Sequence, residues 1–113
     1  MVTTPLHGTL GLAQRAGRLA SGQDAVRLAL TAGKVYLLLL AKDAAPRTKQ
    51  SFVSQAEQLN IPWLEAGTME EFGMAIGKPD RAVIAVLDQG FATSIFCKTD
   101  TRSTHMEVTQ CRI

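Results

Sequence analysis

The chain has 113 residues and a mass of 12.2 kDa, the size of one domain, which excludes a second independent core. Hydrophobic residues make up 46% and charged residues 19%, enough apolar material for a packed interior and too little net charge for a disordered polymer. The formal charge of +2 hides an asymmetry: residues 1–50 carry seven Lys/Arg and two acids (7 − 2 = +5) and residues 51–113 carry five and eight (5 − 8 = −3), so a polyanion is expected to find a preferred side.

Thr4 is the expected N-cap of a first helix, with Pro5 at the first helical position, where its missing N–H costs nothing, and Gly17 at the end. Leu6, Leu10 and Ala13 supply its buried stripe. Arg18-Leu19-Ala20 reads as a short extended stretch. Ser21-Gly22-Gln23-Asp24 then has the Ser-x-x-acid form of a capping box, opening a second helix that closes at Gly33 and turns Val26, Ala29 and Leu30 inward. Residues 35–41 lack polar alternation, as a strand covered on both faces does, and form the expected central strand. A turn at Lys42-Asp43-Ala44-Ala45 leads to a third helix opened by Pro46, with Phe52, Val53, Ala56 and Leu59 at helical spacing and Asn60 at its end.

Residues 61–65 read as a short strand. Thr68-Met69-Glu70-Glu71 is a second capping box, launching a helix through Met69, Phe72 and Ile76 that Gly77 closes. After Lys78-Pro79-Asp80-Arg81 comes a buried strand over residues 82–87, and Asp88 caps a last helix with Phe91 and Ile95 facing in. Strict alternation of helix and strand predicts an α/β fold, a three-layer α/β/α sandwich around a four-stranded, largely parallel or mixed sheet. Residues 1–98 make up the expected domain. From Thr99 the pattern decays, and residues 99–113 read as a polar C-terminal tail.

The longest apolar run, residues 35–41, is far short of the roughly 20 residues a membrane-spanning helix needs. The N-terminus lacks a secretory pattern, so a cytoplasmic location is expected. Cys97 and Cys111 form no Cys-x-x-Cys pair, and with His7 and His105 they match no metal spacing. A dinucleotide fingerprint, a P-loop and a Gly-x-Ser-x-Gly elbow are all absent, and the adjacent carboxylates Glu70 and Glu71 fall in a helix cap. No enzyme, cofactor or metal is expected.

Several strings carry a resemblance: Gly22 with Gly33, Leu37-Leu38-Leu39-Leu40-Ala41-Lys42-Asp43, Asn60-Ile61-Pro62, and Gly77 followed by Val83-Ile84-Ala85-Val86. With TMEEFGMAIG over residues 68–77 and Leu87-Asp88-Gln89-Gly90-Phe91-Ala92, the chain resembles, over residues 6–95, the ribosomal protein family of the archaeal seven-Ae and eukaryotic thirty-e type, in its bacterial YlxQ-like branch. The resemblance implies a monomeric protein that binds kink-turn or ribosomal RNA, a ribonucleoprotein component or a ribosome-associated accessory. It implies a contact surface made by the start of the second helix, the loop after the central strand and the loop before the last strand. Those places hold Ser21, Gly22, Gln23 and Asp24 with Arg27, then Lys42 with Arg47 and Lys49, and then Lys78 and Arg81.

The residue types suit that use. A helix N-terminus offers free N–H groups to phosphate, a glycine lets a backbone approach closely, and Lys/Arg side chains release counterions. Where the family's reading helix commonly carries Asn, Glu and Lys, this chain has Asp24, Ala25 and Leu28. Asp24 accepts from guanine N1 and N2 but cannot donate to O6. These departures support an alternative expectation, a protein-interaction module on the same fold that has lost specific RNA recognition.

Overall fold

The computed structural model describes residues 5–97. The expected cap at Thr4, the Leu6 side chain and the tail over residues 99–113 lie outside the described residues. Nine elements alternate as the sequence predicts: α1 (Pro5–Arg15), β1 (Leu19–Ser21), α2 (Gln23–Thr31), β2 (Leu37–Leu40), α3 (Pro46–Gln58), β3 (Trp63–Glu65), α4 (Met69–Ile76), β4 (Val83–Val86) and α5 (Gln89–Cys97). Among the described residues no helix is long and apolar enough to cross a membrane.

The strands lie in the order β1-β4-β2-β3. β4 is antiparallel to both β1 and β2, and β2 and β3 are parallel, so the sheet is mixed rather than largely parallel. The reversal of β4 has a local cause. After α4 the chain doubles back along the helix, and Gly73 makes room for it: a Cβ there would stand 2.5 Å from the Pro79 carbonyl oxygen and 2.7 Å from that of Lys78. The strand that follows therefore starts at the end of the sheet where the other three finish.

β2 and β4 are the two interior strands, and all four residues of each are buried. Because successive side chains in a strand point to opposite faces, each strand feeds two cores. Leu37, Leu39, Ile84 and Val86 join Leu10 of α1, Phe72 and Ile76 of α4, and Ala92 and Ile95 of α5. Leu38, Leu40, Val83 and Ala85 join Val26 and Leu30 of α2 and Phe52 and Ala56 of α3. The result is the three-layer sandwich, with α1, α4 and α5 on one face and α2 and α3 on the other.

Two local expectations change. Ser21 does not cap α2: it is the last residue of β1, opposite Ile84, and the cap position passes to Gly22, which makes no side-chain bond. Leu59 does not join the core; it sits at the C-cap of α3 and is 45% exposed, because the helix ends before its stripe reaches that turn. The box at Thr68 forms as expected. Its hydroxyl accepts from Glu71 N at 3.1 Å, while Glu71 Oε1 accepts from Thr68 N at 3.0 Å. Asp88 Oδ2 accepts from Phe91 N at 3.0 Å and caps α5.

Candidate functional site

β1, β2 and β3 finish at one end of the sheet, and β4 begins there. Gly22 N donates to the Val83 carbonyl at 3.1 Å, Ala41 N to Ala82 at 2.9 Å, Ala66 N to Leu40 at 3.0 Å and Lys42 N to Gly67 at 2.8 Å. These bonds carry the pairing one step past each strand and bring the loops before α2, α3, α4 and β4 into one continuous rim. Three helices therefore start at the rim, each with the positive end of its dipole and its first N–H groups directed there.

The three N-termini are not equivalent. That of α4 is closed by side chains: the Thr68–Glu71 box holds one pair of groups, and Asp43 Oδ1 accepts from Met69 N at 2.8 Å. At α3 the cap is Ala45, which has no side-chain acceptor, and the first position is Pro46, which has no N–H to give. At α2 the N–H groups of Gln23, Asp24 and Ala25 precede the first intrahelical bond, Val26 N to Gly22 O at 3.0 Å, and no side chain caps them. Gly22 has φ 90° and ψ 158°, a conformation that essentially only glycine adopts. A Cβ there would meet Arg81 only at 3.8–3.9 Å, an ordinary contact, so the glycine is required by its torsions rather than by crowding.

Most of the sequence-predicted residues gather on this rim. Ser21 Oγ accepts from Arg81 Nε at 3.3 Å, and Arg81 Nη1 reaches the Asp80 carbonyl at 3.2 Å, tying the last loop to the end of β1. Gln23 and Asp24 are exposed in the first turn of α2, and Lys42 and Arg47 are exposed on the next loop and the start of α3. Lys49 Nζ donates to the Lys42 carbonyl at 3.0 Å and lies 3.4 Å from Glu65 Oε2, so part of its charge is already used.

Two predicted residues stand apart. Arg27 turns towards α3: Nη2 donates to Ser51 Oγ at 3.0 Å, Nη1 to Gln55 Oε1 at 3.4 Å, and the guanidinium carbon lies 4.2 Å from the centre of the Phe52 ring. Its geometry is that of a brace between two helices. Lys78 follows the C-terminal end of α4, its N–H donating to the Gly73 carbonyl. The chain is already returning along the helix there, with the Lys78 carbonyl 2.7 Å from where a Cβ on Gly73 would stand, so Lys78 lies beside the C-terminal half of α4, behind the rim.

Among the described residues the charge on the rim is balanced. Lys42, Arg47, Lys49 and Arg81 share it with Asp24, Asp43, Glu65 and Asp80, 4 − 4 = 0, before Glu70 and Glu71 at the start of α4 are added. The basic excess of the first half is thus not gathered on this surface, contrary to the expectation from composition. The β3–α4 loop, Ala66-Gly67-Thr68, is the part of the rim that sequence reasoning missed. Its signal was that a parallel neighbour of β2 must end where β2 ends. The role of Asp43, closing α4 across 26 residues of sequence, left no local signature.

Comparison with known proteins matches residues 4–96 to the family described as "Ribosomal protein L7Ae/L30e/S12e/Gadd45 family". The chain is 34% identical over 91 residues to the RNA-binding protein YlxQ of Bacillus subtilis (strain 168), covering 80% of this chain and 91% of that protein. It is 32% identical over 83 residues to the RNA-binding protein YlxQ of Enterococcus faecium, covering 74% and 80%. A solved structure of a protein of unknown function from Bacillus halodurans C superposes with a TM-score of 0.79 at 35% identity, covering 82% of this chain and 94% of that one.

Proposed function

We infer that the chain is an RNA-binding protein, proceeding from the fact that it belongs to the ribosomal protein L7Ae/L30e/S12e/Gadd45 family. The observation that carries the reading is the uncapped N-terminus of α2 behind Gly22, set among the converging loops. A phosphate docks on the N–H groups of Gln23, Asp24 and Ala25, with the helix dipole favouring its charge. The missing side chain at Gly22 lets a sharply bent backbone approach. Asp24 then accepts from the N1 and N2 edge of an exposed guanine, the kind of unstacked base that a kink-turn offers. Lys42, Arg47, Lys49 and Arg81 face the flanking phosphates, while Arg27 holds α2 in place and Lys78 stays behind the contact.

On this reading the protein is a non-catalytic, cytoplasmic monomer that needs no cofactor and serves the ribosome or another structured RNA. Its test is a gel-shift series at two salt concentrations, using a kink-turn RNA and a variant lacking the tandem G·A pairs. Log K is expected to fall against log salt by roughly 0.7–0.9 per phosphate contact, and the variant RNA to bind more weakly. Equal affinity for the two RNAs would remove the kink-turn assignment; no retention of either would remove the RNA reading.

One observation favours a second reading, a protein-interaction module: Leu28 on α2 is 72% exposed. A pull-down that recovers one protein partner stoichiometrically and no RNA would support it.

A further inference from the structure

Three of the seven cations of the first half, Arg15, Arg18 and Lys34, are absent from the rim and lie at the opposite end of the sheet. Arg15 ends α1, Arg18 leads into β1, and Lys34 follows the turn that closes α2. All three are exposed, and none of their side chains makes a hydrogen bond or ion pair with a described residue. Tyr36, the only tyrosine of the chain and 49% exposed, stands at the same end, just before β2. The backbone fixes the spacing. Leu87 N donates to the Arg18 carbonyl and Tyr36 N to that of Val86, so Arg18 and Tyr36 flank the end of β4, two strand spacings or about 10 Å apart. Arg18 is in register two residues before Ala20, and Tyr36 two before Leu38; both lie on the face that α2 covers, where Lys34 also emerges. Among the described residues two acids lie at this end: Asp88 is engaged at the start of α5, and Glu57, in the last turn of α3, has an interaction of its own that involves none of the three cations.

Helix dipoles account for part of this: positive charge at the ends of α1 and α2 is favourable there. They do not account for Arg18 or for a half-exposed tyrosine at the entrances of two strands. Cations with no carboxylate partner beside an exposed aromatic ring are what a single strand of nucleic acid requires, charge for its phosphates and a flat face for a base. We propose that this end of the sheet is a second RNA-contact surface, in which Arg15, Arg18 and Lys34 hold the phosphates of a single-stranded segment and Tyr36 stacks on one of its bases. About 20 Å of sheet, from Tyr36 to Lys42, separates it from the rim, so the two surfaces bind independently.

The test uses fluorescence anisotropy with two probes: a labelled oligouridylate of roughly twelve nucleotides, and a closed kink-turn hairpin without single-stranded ends. The oligouridylate is expected to bind the full chain. The triple variant Arg15→Gln/Arg18→Gln/Lys34→Gln is expected to flatten the salt slope by about 2, from about 0.7 per single-strand contact, with an affinity loss of tenfold or more at low salt. Tyr36→Ala is expected to weaken binding about fivefold or more, and Tyr36→Phe to restore it, because the ring and not the hydroxyl stacks. The hairpin should be bound alike by the parent and all three variants. Failure of the oligouridylate to bind, or its undiminished binding to the triple variant, would overturn the proposal while leaving the rim assignment intact. Failure of the hairpin alone would remove the rim assignment and leave this surface standing.

Discussion

Arg27 separates two descriptions of α2, as a helix that offers its arginine to phosphate or as one that uses it to stay seated. In the structure the guanidinium makes two hydrogen bonds to α3 and stacks on Phe52, which is itself fully buried. Each hydrogen bond is worth about 0.5–1.5 kcal/mol and a partly exposed cation–π contact about 0.5–1 kcal/mol, so Arg27→Ala should cost about 2 kcal/mol. In a domain of this size that lowers Tm by about 8–16 °C. Arg27→Lys keeps the charge but loses the planar fork and the stacking, and should recover less than half of the loss. Thermal melts followed by circular dichroism, run beside gel shifts of the same variants below their Tm, decide the matter. The expected pattern is a large fall in Tm with RNA affinity nearly retained. An Arg27→Ala protein that melted within about 2 °C of the parent and lost its RNA, with Arg27→Lys restoring it, would refute the brace and return Arg27 to the phosphate contacts.

Gly22→Ala places a side chain in a region that L residues avoid; it should cost about 1–3 kcal/mol by denaturant titration and weaken kink-turn binding as the loop relaxes. Gly73→Ala should cost at least as much as an overpacked core, about 1–3 kcal/mol, since the backbone of Pro79 must retreat; an unchanged midpoint would contradict the close return of the chain along α4. Asp43→Ala removes the acceptor of Met69 N and should lower stability by about 1 kcal/mol, with faster amide exchange in the first turn of α4 as its local readout.

The element order was legible because each signal was local. Pro46 opens α3, Gly77 closes α4 in the left-handed conformation, Thr68 and Glu71 form their box, and the unbroken apolar runs became the two buried strands. The displaced cap at Ser21 has a physical cause: a distant partner overrode a local motif. Ser21 and Asp24 have the spelling of a capping box, but Ser21 is drawn into pairing with Ile84 and its hydroxyl meets Arg81, sixty residues away. At Thr68 no strand competes for the cap, and the longer glutamate reaches back. For the candidate site, the three loops named from the resemblance do meet, yet nothing along the chain showed that Arg27 would turn to α3. Nor could a count of charges reveal that acids from both halves would fold in among the cations of the rim.

The carboxylate of Asp43 has a mechanical consequence. It holds the first turn of α4 from the loop that follows β2, while Lys42 N on the same loop holds the Gly67 carbonyl just ahead of that helix. These two bonds run side by side over a short stretch and couple the loop after β2 to the start of α4. Ligand contacts at Lys42 would thus be felt at the start of α4, whereas the loop ahead of α2 is tied to β4 instead, through Gly22 N and the Val83 carbonyl.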